Sequence, residues 1–263
     1  MVQVSRPRLS ELIAAKRESG SGVVIGYLPL GFPDVTTSIE AARALIDAGI
    51  DALELGIPYS DPVMDGPVIA QATQTALANG FKLKDVFPAI RAIAEGNETP
   101  LAVMTYWNPV LQYGVEKFTS DLLAAGATGL ITPDLIPDEA SEWVDVSERL
   151  GAERVFLAAP SSSNERLENT AKHSSGFVYA VSTMGITGTR EDVDNAAHAL
   201  VERLRTAGAK DVCVGVGIST PDHVRNVLEY ADGAIVGTAL VRALSDGGVP
   251  ALRELAASLV STR

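Results

Sequence analysis

Two carboxyl groups near one predicted strand end are the residues of this chain best suited to chemistry. Glu54 lies in the apolar segment 50–56, which otherwise has the composition of a buried strand, and Asp65 follows eleven positions later in a loop rich in glycine and proline. A protein core rarely accepts an unpaired carboxylate, because removing its charge from water is costly. Two carboxyls in different surroundings can act as proton donor and acceptor. The pair therefore indicates acid-base catalysis.

Each carboxyl also has a simpler explanation. Glu54 could be paired with an arginine or a backbone donor elsewhere in the fold. Asp65 precedes a glycine and a proline, where an aspartate often caps its own turn or the next helix. Asp61, in the same loop, is an alternative to Asp65 as the acting acid, although Asp61-Pro62 has the composition of a rigid turn.

Two glycine-rich segments near the C-terminus predict an anion site. The segment 214–220 leaves a predicted strand through Gly217, and the segment 234–239 leaves the next strand through Gly237 and Thr238. Backbone N–H groups at such junctions, together with a helix N-terminus, bind phosphate without lysine or arginine. The Thr238 hydroxyl would add a donor. The alternative is a pair of tight turns that hold no ligand.

A third glycine-rich segment, residues 182–190, follows the predicted strand that ends near Val181. We expect it to be a lid, with its glycines as hinges. The backbone N–H of Gly188 would then reach the phosphate when the segment closes and excludes water. An ordinary surface loop is the alternative.

The other reactive side chains narrow the chemistry. The three histidines fall in predicted helices, away from strand ends, which argues against a metal site or a histidine base. They are His173, His198 and His223. No lysine falls at a predicted strand end, so a Schiff base lacks a candidate, and Cys213 lies within a predicted strand as a packing residue. The expected chemistry is acid-base catalysis on a phosphorylated small molecule, without metal or organic cofactor.

Eight short, β-branched segments alternate with amphipathic, alanine-rich ones. The predicted strands cover residues 23–28, 51–55, 101–104, 129–132, 154–158, 177–181, 212–216 and 233–236. The clearest predicted helices cover residues 36–48, 115–125, 139–150, 196–207 and 221–229. Three of them end at a glycine suited to a left-handed cap, namely Gly49, Gly126 and Gly208. This alternation predicts a (β/α)8 TIM barrel, with a doubly wound open sheet as the alternative.

The barrel prediction gives Glu54 a position. We expect one (β/α)8-barrel domain over residues 1–263, with a short N-terminal helix. Strand alternation then points Glu54 and Ala52 into the barrel and turns Leu53 and Leu55 toward the helices. Functional loops follow the carboxyl ends of barrel strands, so Glu54 would lie near the mouth, where desolvation would raise its pKa toward neutrality.

Composition excludes several classes of partner. The formal net charge is −12, which does not supply the basic surface that nucleic-acid binding needs. No apolar segment approaches the roughly 20 residues that cross a bilayer, and the basic N-terminal residues have no apolar segment behind them, so we expect neither a membrane span nor a signal peptide. The single cysteine fits a reducing compartment. We therefore expect a cytoplasmic protein.

The segment 53–67, LELGIPYSDPVMDGP, resembles the signature of the tryptophan synthase α subunits. The resemblance continues through GFPD at 31–34, MTYWNPV at 104–110, GITG at 185–188 and both glycine-rich turns. It covers nearly the whole chain, from about residue 9 to residue 259.

The resemblance implies a (β/α)8 barrel that cleaves indole-3-glycerol phosphate to indole and glyceraldehyde 3-phosphate. It also implies a partner, a β subunit that carries pyridoxal phosphate, joined in an α-β-β-α complex and receiving the indole. Glu54 and Asp65 match the catalytic acids, and Tyr179 matches an active-site tyrosine. The matching phosphate-binding positions are Gly188, Gly217, Gly237 and Thr238. Many relatives have serine where Thr238 stands, and threonine keeps the hydroxyl.

The implied mechanism is a retro-aldol cleavage. Glu54 would protonate indole C3 and then take the proton of the glycerol hydroxyl, while Asp65 would accept from the indole N–H. Without the resemblance, the residues are also compatible with two other functions. One is a different phosphate-binding barrel enzyme, such as a sugar-phosphate isomerase, and the other is a non-catalytic regulator of a partner. The apolar groups of 59–63 and 106–110 would mark a partner surface or line the mouth.

Overall fold

Short β-branched runs form eight parallel strands that close into a barrel. The computed structural model describes residues 6–181, 190–215 and 217–261. The strands are β1 (Val23–Pro29), β2 (Ala52–Gly56), β3 (Leu101–Met104), β4 (Gly129–Thr132), β5 (Glu153–Ala158), β6 (Val178–Val181), β7 (Val212–Gly215) and β8 (Gly233–Val236). Each strand pairs with the next, and β8 pairs back with β1. The predicted (β/α)8 barrel is confirmed, and the open sheet is excluded.

The helices lie outside the barrel, except for the first. They are α1 (Leu9–Glu18), α2 (Val35–Asp47), α3 (Pro67–Ala78), α4 (Leu83–Ala94), α5 (Trp107–Tyr113), α6 (Val115–Ala125), α7 (Ser141–Leu150), α8 (Asn164–His173), α9 (Arg190–Thr206), α10 (Pro221–Leu228) and α11 (Thr238–Val260), which is broken at Gly248. The three predicted glycine caps are confirmed, since Gly49, Gly126 and Gly208 have φ values of 95°, 103° and 92°. The prediction that α7 begins at residue 139 is wrong, because Pro137–Glu139 forms a separate 3-10 turn.

Two apolar cores follow from the alternation of side chains along the strands. One fills the barrel and contains Val23, Ile25, Ala52, Ala102, Ile131, Val155, Phe177, Cys213 and Ile235. The other lies between strands and helices and includes Leu53 and Leu55. The predicted orientation of β2 is therefore confirmed, and it places Glu54 inside the barrel above Ala52.

Helix α1 closes the barrel at the N-terminal ends of the strands. Leu9 and Ile13 pack into the inner core. The buried carboxylate of Glu153, at the start of β5, accepts hydrogen bonds from the backbone N–H groups of Leu9 (2.7 Å) and Ser10 (3.0 Å) and from the Ser10 hydroxyl (2.7 Å). A carboxylate at a helix N-terminus satisfies donors that have no partner within the helix. With this end closed, access to Glu54 is from the opposite end.

Candidate active site

A cavity of about 370 Å³ lies at the carboxyl ends of the strands. Its lining includes every site residue predicted from the sequence that the structure describes, namely Glu54, Asp65, Tyr179, Gly217, Gly237 and Thr238. Gly188 and the predicted lid, apart from its last residue, lie outside the described residues. Residues from distant parts of the chain thus meet at the predicted barrel mouth.

Glu54 is held in the cavity by β2. Its Cα pairs in register with Tyr27 on β1 and with Ala102 on β3. The side chain is 1% exposed, and Oε2 has no hydrogen-bond partner among the described residues. Burial, followed by the charge of Asp65, raises the pKa of Glu54 to about 8. Glu54 is therefore a buried carboxyl that favours its protonated form at neutral pH, and Oε2 lacks the partner that the simpler explanation required.

Asp65 enters the cavity from the loop after β2. The loop is fixed beside it, because the Met64 backbone N–H donates to the Tyr106 hydroxyl at 3.0 Å. The N-cap of α3 is Gly66, and no side chain caps this helix. Asp65 is thus not the helix cap that turn chemistry suggested. Burial raises the pKa of Asp65 to about 6, which leaves it mostly ionised at neutral pH.

The structure separates the two aspartates of this loop. Asp61 is exposed, accepts a hydrogen bond from the Ser60 hydroxyl at 2.5 Å and is not among the residues that line the cavity. Its neighbours hold it in a surface turn. Of the two, Asp65 is the one placed beside Glu54.

Tyrosines surround the carboxyl pair. Tyr179 projects from β6 into the cavity, and burial, followed by the charge of Glu54, raises its pKa well above the ordinary value. Tyr106 is buried and stacks on Tyr59, with ring centroids 5.1 Å apart. Val110 is buried as well, whereas Asn108 between them is exposed and Trp107 and Pro109 are partly buried, so whether 106–110 contacts a partner stays a prediction.

Tyr27 is a cavity residue that was not predicted from the sequence. This residue lies on β1 directly opposite Glu54 and lines the same cavity. Its ring lies against Gly56, because a Cβ atom at that glycine would overlap the Tyr27 hydroxyl. The signal was present but indirect, since β1 is buried along its whole length and only the pairing register shows which face meets Glu54.

The glycine-capped start of α11 and a glycine turn after β7 border the other side of the cavity. Gly237 is the N-cap of α11, and Thr238 is its first residue and exposed. Gly217 has a φ of 52°, a left-handed conformation that favours glycine, and precedes α10. The first N–H groups of a helix have no acceptor within it and attract anions. No lysine, arginine or histidine is among the described residues that line the cavity, so an anion bound there would be held by backbone N–H groups and hydroxyls.

Metal ligands are not grouped in the described ranges. Over residues 6–181, 190–215 and 217–261, no cluster of three or more histidine, cysteine, aspartate or glutamate side chains could hold a metal ion. His173, His198 and His223 lie on α8, α9 and α10, as predicted. The same described residues contain no helix long and apolar enough to cross a membrane.

The closed barrel, with paired carboxyls and the glycine-capped start of α11 at the carboxyl ends of its strands, defines the chain as a (β/α)8-barrel enzyme. A family model described as tryptophan synthase alpha chain matches residues 13–260. The chain belongs to this family.

Relatives of high sequence identity bear the same name. The tryptophan synthase alpha chain of Leifsonia xyli subsp. xyli is 60% identical, over 96% of this chain and 97% of the relative. That of Mycobacterium avium is 51% identical, over 98% and 95%. A solved structure of tryptophan synthase from Mycobacterium tuberculosis has a TM-score of 0.91 and 48% identity, covering 98% of each chain. The α2β2 tryptophan synthase complex of Pyrococcus furiosus gives a TM-score of 0.85 at 37% identity, covering 92% of this chain and 98% of that one.

Proposed function

We propose that Glu54 and Asp65 are the acid-base pair with which this chain performs the reaction of its family, the cleavage of indole-3-glycerol phosphate to indole and glyceraldehyde 3-phosphate. The observation that supports these roles is a single cavity with two carboxyls whose pKa values are raised to about 8 and about 6. A pair separated in this way holds one proton near neutral pH.

Each carboxyl has a role suited to its protonation state. Protonated Glu54 donates its proton to indole C3, which places positive charge on the ring nitrogen. Ionised Asp65 accepts from the indole N–H and stabilises that charge. Glu54, now ionised, takes the proton of the hydroxyl on the neighbouring carbon. The C–C bond then breaks, its electron pair restores the aromatic ring and the hydroxyl carbon becomes the aldehyde. Glu54 ends protonated, ready for another turnover.

The ring is its own electron sink in this scheme, so the chain would need no lysine, metal or bound cofactor. Pyridoxal phosphate would be confined to the β subunit. We assign the substrate phosphate to the N–H groups at Gly217 and Gly237, to the Thr238 hydroxyl and to Gly188. Gly217, Gly237 and Thr238 line the cavity on the segments that follow β7 and β8, whereas Asp65 lines it from the loop after β2. Tyr179 would pack against Glu54 and the substrate, in keeping with the effect of Glu54 on its pKa.

Members of this family pair with a β subunit, and exposed apolar side chains suggest where. The described part of the chain exposes four large apolar side chains, Val35, Val63, Leu111 and Ile136. They follow β1, β2, β3 and β4 in turn, so they lie on one half of the mouth face. We name this set the apolar patch and assign the β subunit to it. A cytoplasmic location and a single domain over 1–263 remain predictions.

Glu54→Gln tests the assignment, because the amide keeps the shape of the side chain and cannot release a proton. We expect indole release to fall by at least about 100-fold, with KM changed less than about threefold. Asp61→Asn is the matched control in the neighbouring exposed turn and should retain wild-type turnover. Indole release should be measured with and without the β subunit.

Turnover of Glu54→Gln near the wild-type rate would show that Glu54 takes no part in the chemical step. Activation of the β subunit by the inactive variant would show that binding is separable from catalysis.

A further inference from the structure

Tyr27 is the polar side chain of the cavity for which the mechanism above has no use. It is 5% exposed and projects from β1, where its Cα pairs in register with Glu54. Tyr27 also borders the anion side, since a Cβ atom on Gly237 would lie 3.5 Å from its Cβ. The ring therefore lies between the carboxyl pair and the start of α11.

The ring of Tyr27 extends past the level of its register partner Glu54 to that of Gly56. Glu54 and Gly56 are successive inward positions of β2, and Gly56 is the one closer to the loop that carries Asp65. A Cβ atom at Gly56 would overlap the Tyr27 hydroxyl and lie 2.8 Å from Cε2 and Cζ of the ring. Glycine at this position leaves room for the phenol, which extends from the level of Glu54 toward Asp65.

The groups that face this hydroxyl are acidic or neutral. Burial, then the charges of Asp65 and Glu54, then Tyr106, raise the pKa of Tyr27 well above its ordinary value. Tyr179 approaches from β6 and is affected by Glu54 and Tyr27. No basic side chain lines the described cavity. The phenol thus keeps its proton and offers an O–H donor wherever the pair is active.

We propose that Tyr27 is a positioning residue for the acid-base pair, and that its hydroxyl donates a hydrogen bond to ionised Asp65 when substrate is bound. The inference rests on the proposed roles of Glu54 and Asp65. A donor from below would orient the Asp65 carboxylate toward the indole N–H and favour its charged form beside protonated Glu54. Hydrogen bonds of this kind often reach their final length only with substrate in place.

Tyr27→Phe removes the donor and keeps the ring over Gly56. Losing a donor to a carboxylate raises the pKa of that carboxyl, so the acid limb of the pH profile of kcat should move upward by about one pH unit. We expect kcat at pH 7 to fall about tenfold, with KM within about twofold of the wild-type value. The same substrate serves both proteins, so ionisation of its phosphate cancels in the comparison.

Tyr113→Phe is the matched control. Its hydroxyl donates to the Asp121 carboxylate at 2.6 Å, away from the cavity, so its loss should leave the profile unchanged. Thermal melting would verify that both variants fold. A lower kcat with an unmoved acid limb would show that the hydroxyl only packs, and an unchanged kcat would show that it has no part. Either result overturns the inference, while the Glu54→Gln result separately decides the proposed function.

Discussion

Glu54 and Glu153 are both buried glutamates that point into the barrel, and they differ in their partners. Glu153 accepts three hydrogen bonds from the start of α1, while Oε2 of Glu54 has no partner among the described residues. Burial without hydrogen bonds penalises the charged form of Glu54 and raises its pKa to about 8. Pairing therefore distinguishes the carboxyl that can exchange a proton from the one that holds the fold together.

The order of the two pKa values in the active site has a physical reason. Asp65 is half-buried and loses its proton first, with a pKa near 6. Its charge then adds to the burial of Glu54 and disfavours a second ionisation in the same cavity. The expected active form, with Asp65 ionised and Glu54 protonated, is thus produced by the charge of one carboxyl acting on the other.

Helix α1 and strand β5 close the N-terminal end of the barrel through one carboxylate. Glu153 joins the N-terminus of α1 to the strand, and Leu9 and Ile13 follow it into the inner core. The catalytic loops lie at the other end of the strands. The closed end of the barrel should therefore contribute to the stability of the fold and not to catalysis.

Glu153→Ala tests this division between the two ends. We expect the free energy of unfolding to fall by about 3 kcal/mol, because buried N–H donors of α1 lose a charged acceptor. The kcat of the folded protein should stay within about twofold of the wild-type value. Urea unfolding with parallel indole assays would measure both quantities. Glu95→Ala, at an exposed ion pair, is the control and should change stability by less than about 0.5 kcal/mol. Wild-type stability of Glu153→Ala would show that α1 is held by packing alone.

At the scale of the whole molecule, the apolar patch and the cavity share the mouth face of the barrel. Val63 of the patch lies two residues from Asp65 in the loop after β2, and its side chain is 70% exposed. A partner seated on the patch would therefore contact the loop that carries the catalytic aspartate. Such contact is a physical route by which the β subunit could alter turnover here.

Leu111→Asp tests the patch outside the catalytic loop. A buried, unpaired charge at an interface is costly, so we expect affinity for the β subunit to fall at least about tenfold. Ala15→Asp places the same charge on the exposed face of α1, at the closed end of the barrel, and should bind like the wild type. Isothermal titration with purified β subunit would compare them. Equal affinity of the three proteins would show that Leu111 is not part of the interface.

Much of this architecture could be predicted from the sequence, because short β-branched runs and glycine caps are local signals. Seven predicted strands match the observed ones to within one residue at each end, and the eighth, β7, matches over its described length. The spacing of Glu54 and Asp65 identified the carboxyl pair. Tyr27 and Glu153 were missed, because their roles depend on pairing register and on contact with a distant helix. Whether Glu54 was paired with another residue, and whether Asp65 capped a helix, depended on side-chain contacts that the sequence does not show.

The pH dependence of kcat/KM for indole release by the wild-type chain is the sharpest test of a protonated Glu54 beside an ionised Asp65, since this ratio reports ionisations of the free enzyme and substrate. We expect a bell-shaped pH profile, with an acid limb near pH 6 as Asp65 becomes protonated and a basic limb near pH 8 as Glu54 loses its proton. The basic limb is diagnostic, because the substrate phosphate ionises near pH 6 and contributes none. Activity that stays constant from about pH 7 to about pH 10 would contradict a protonated Glu54 as the proton donor.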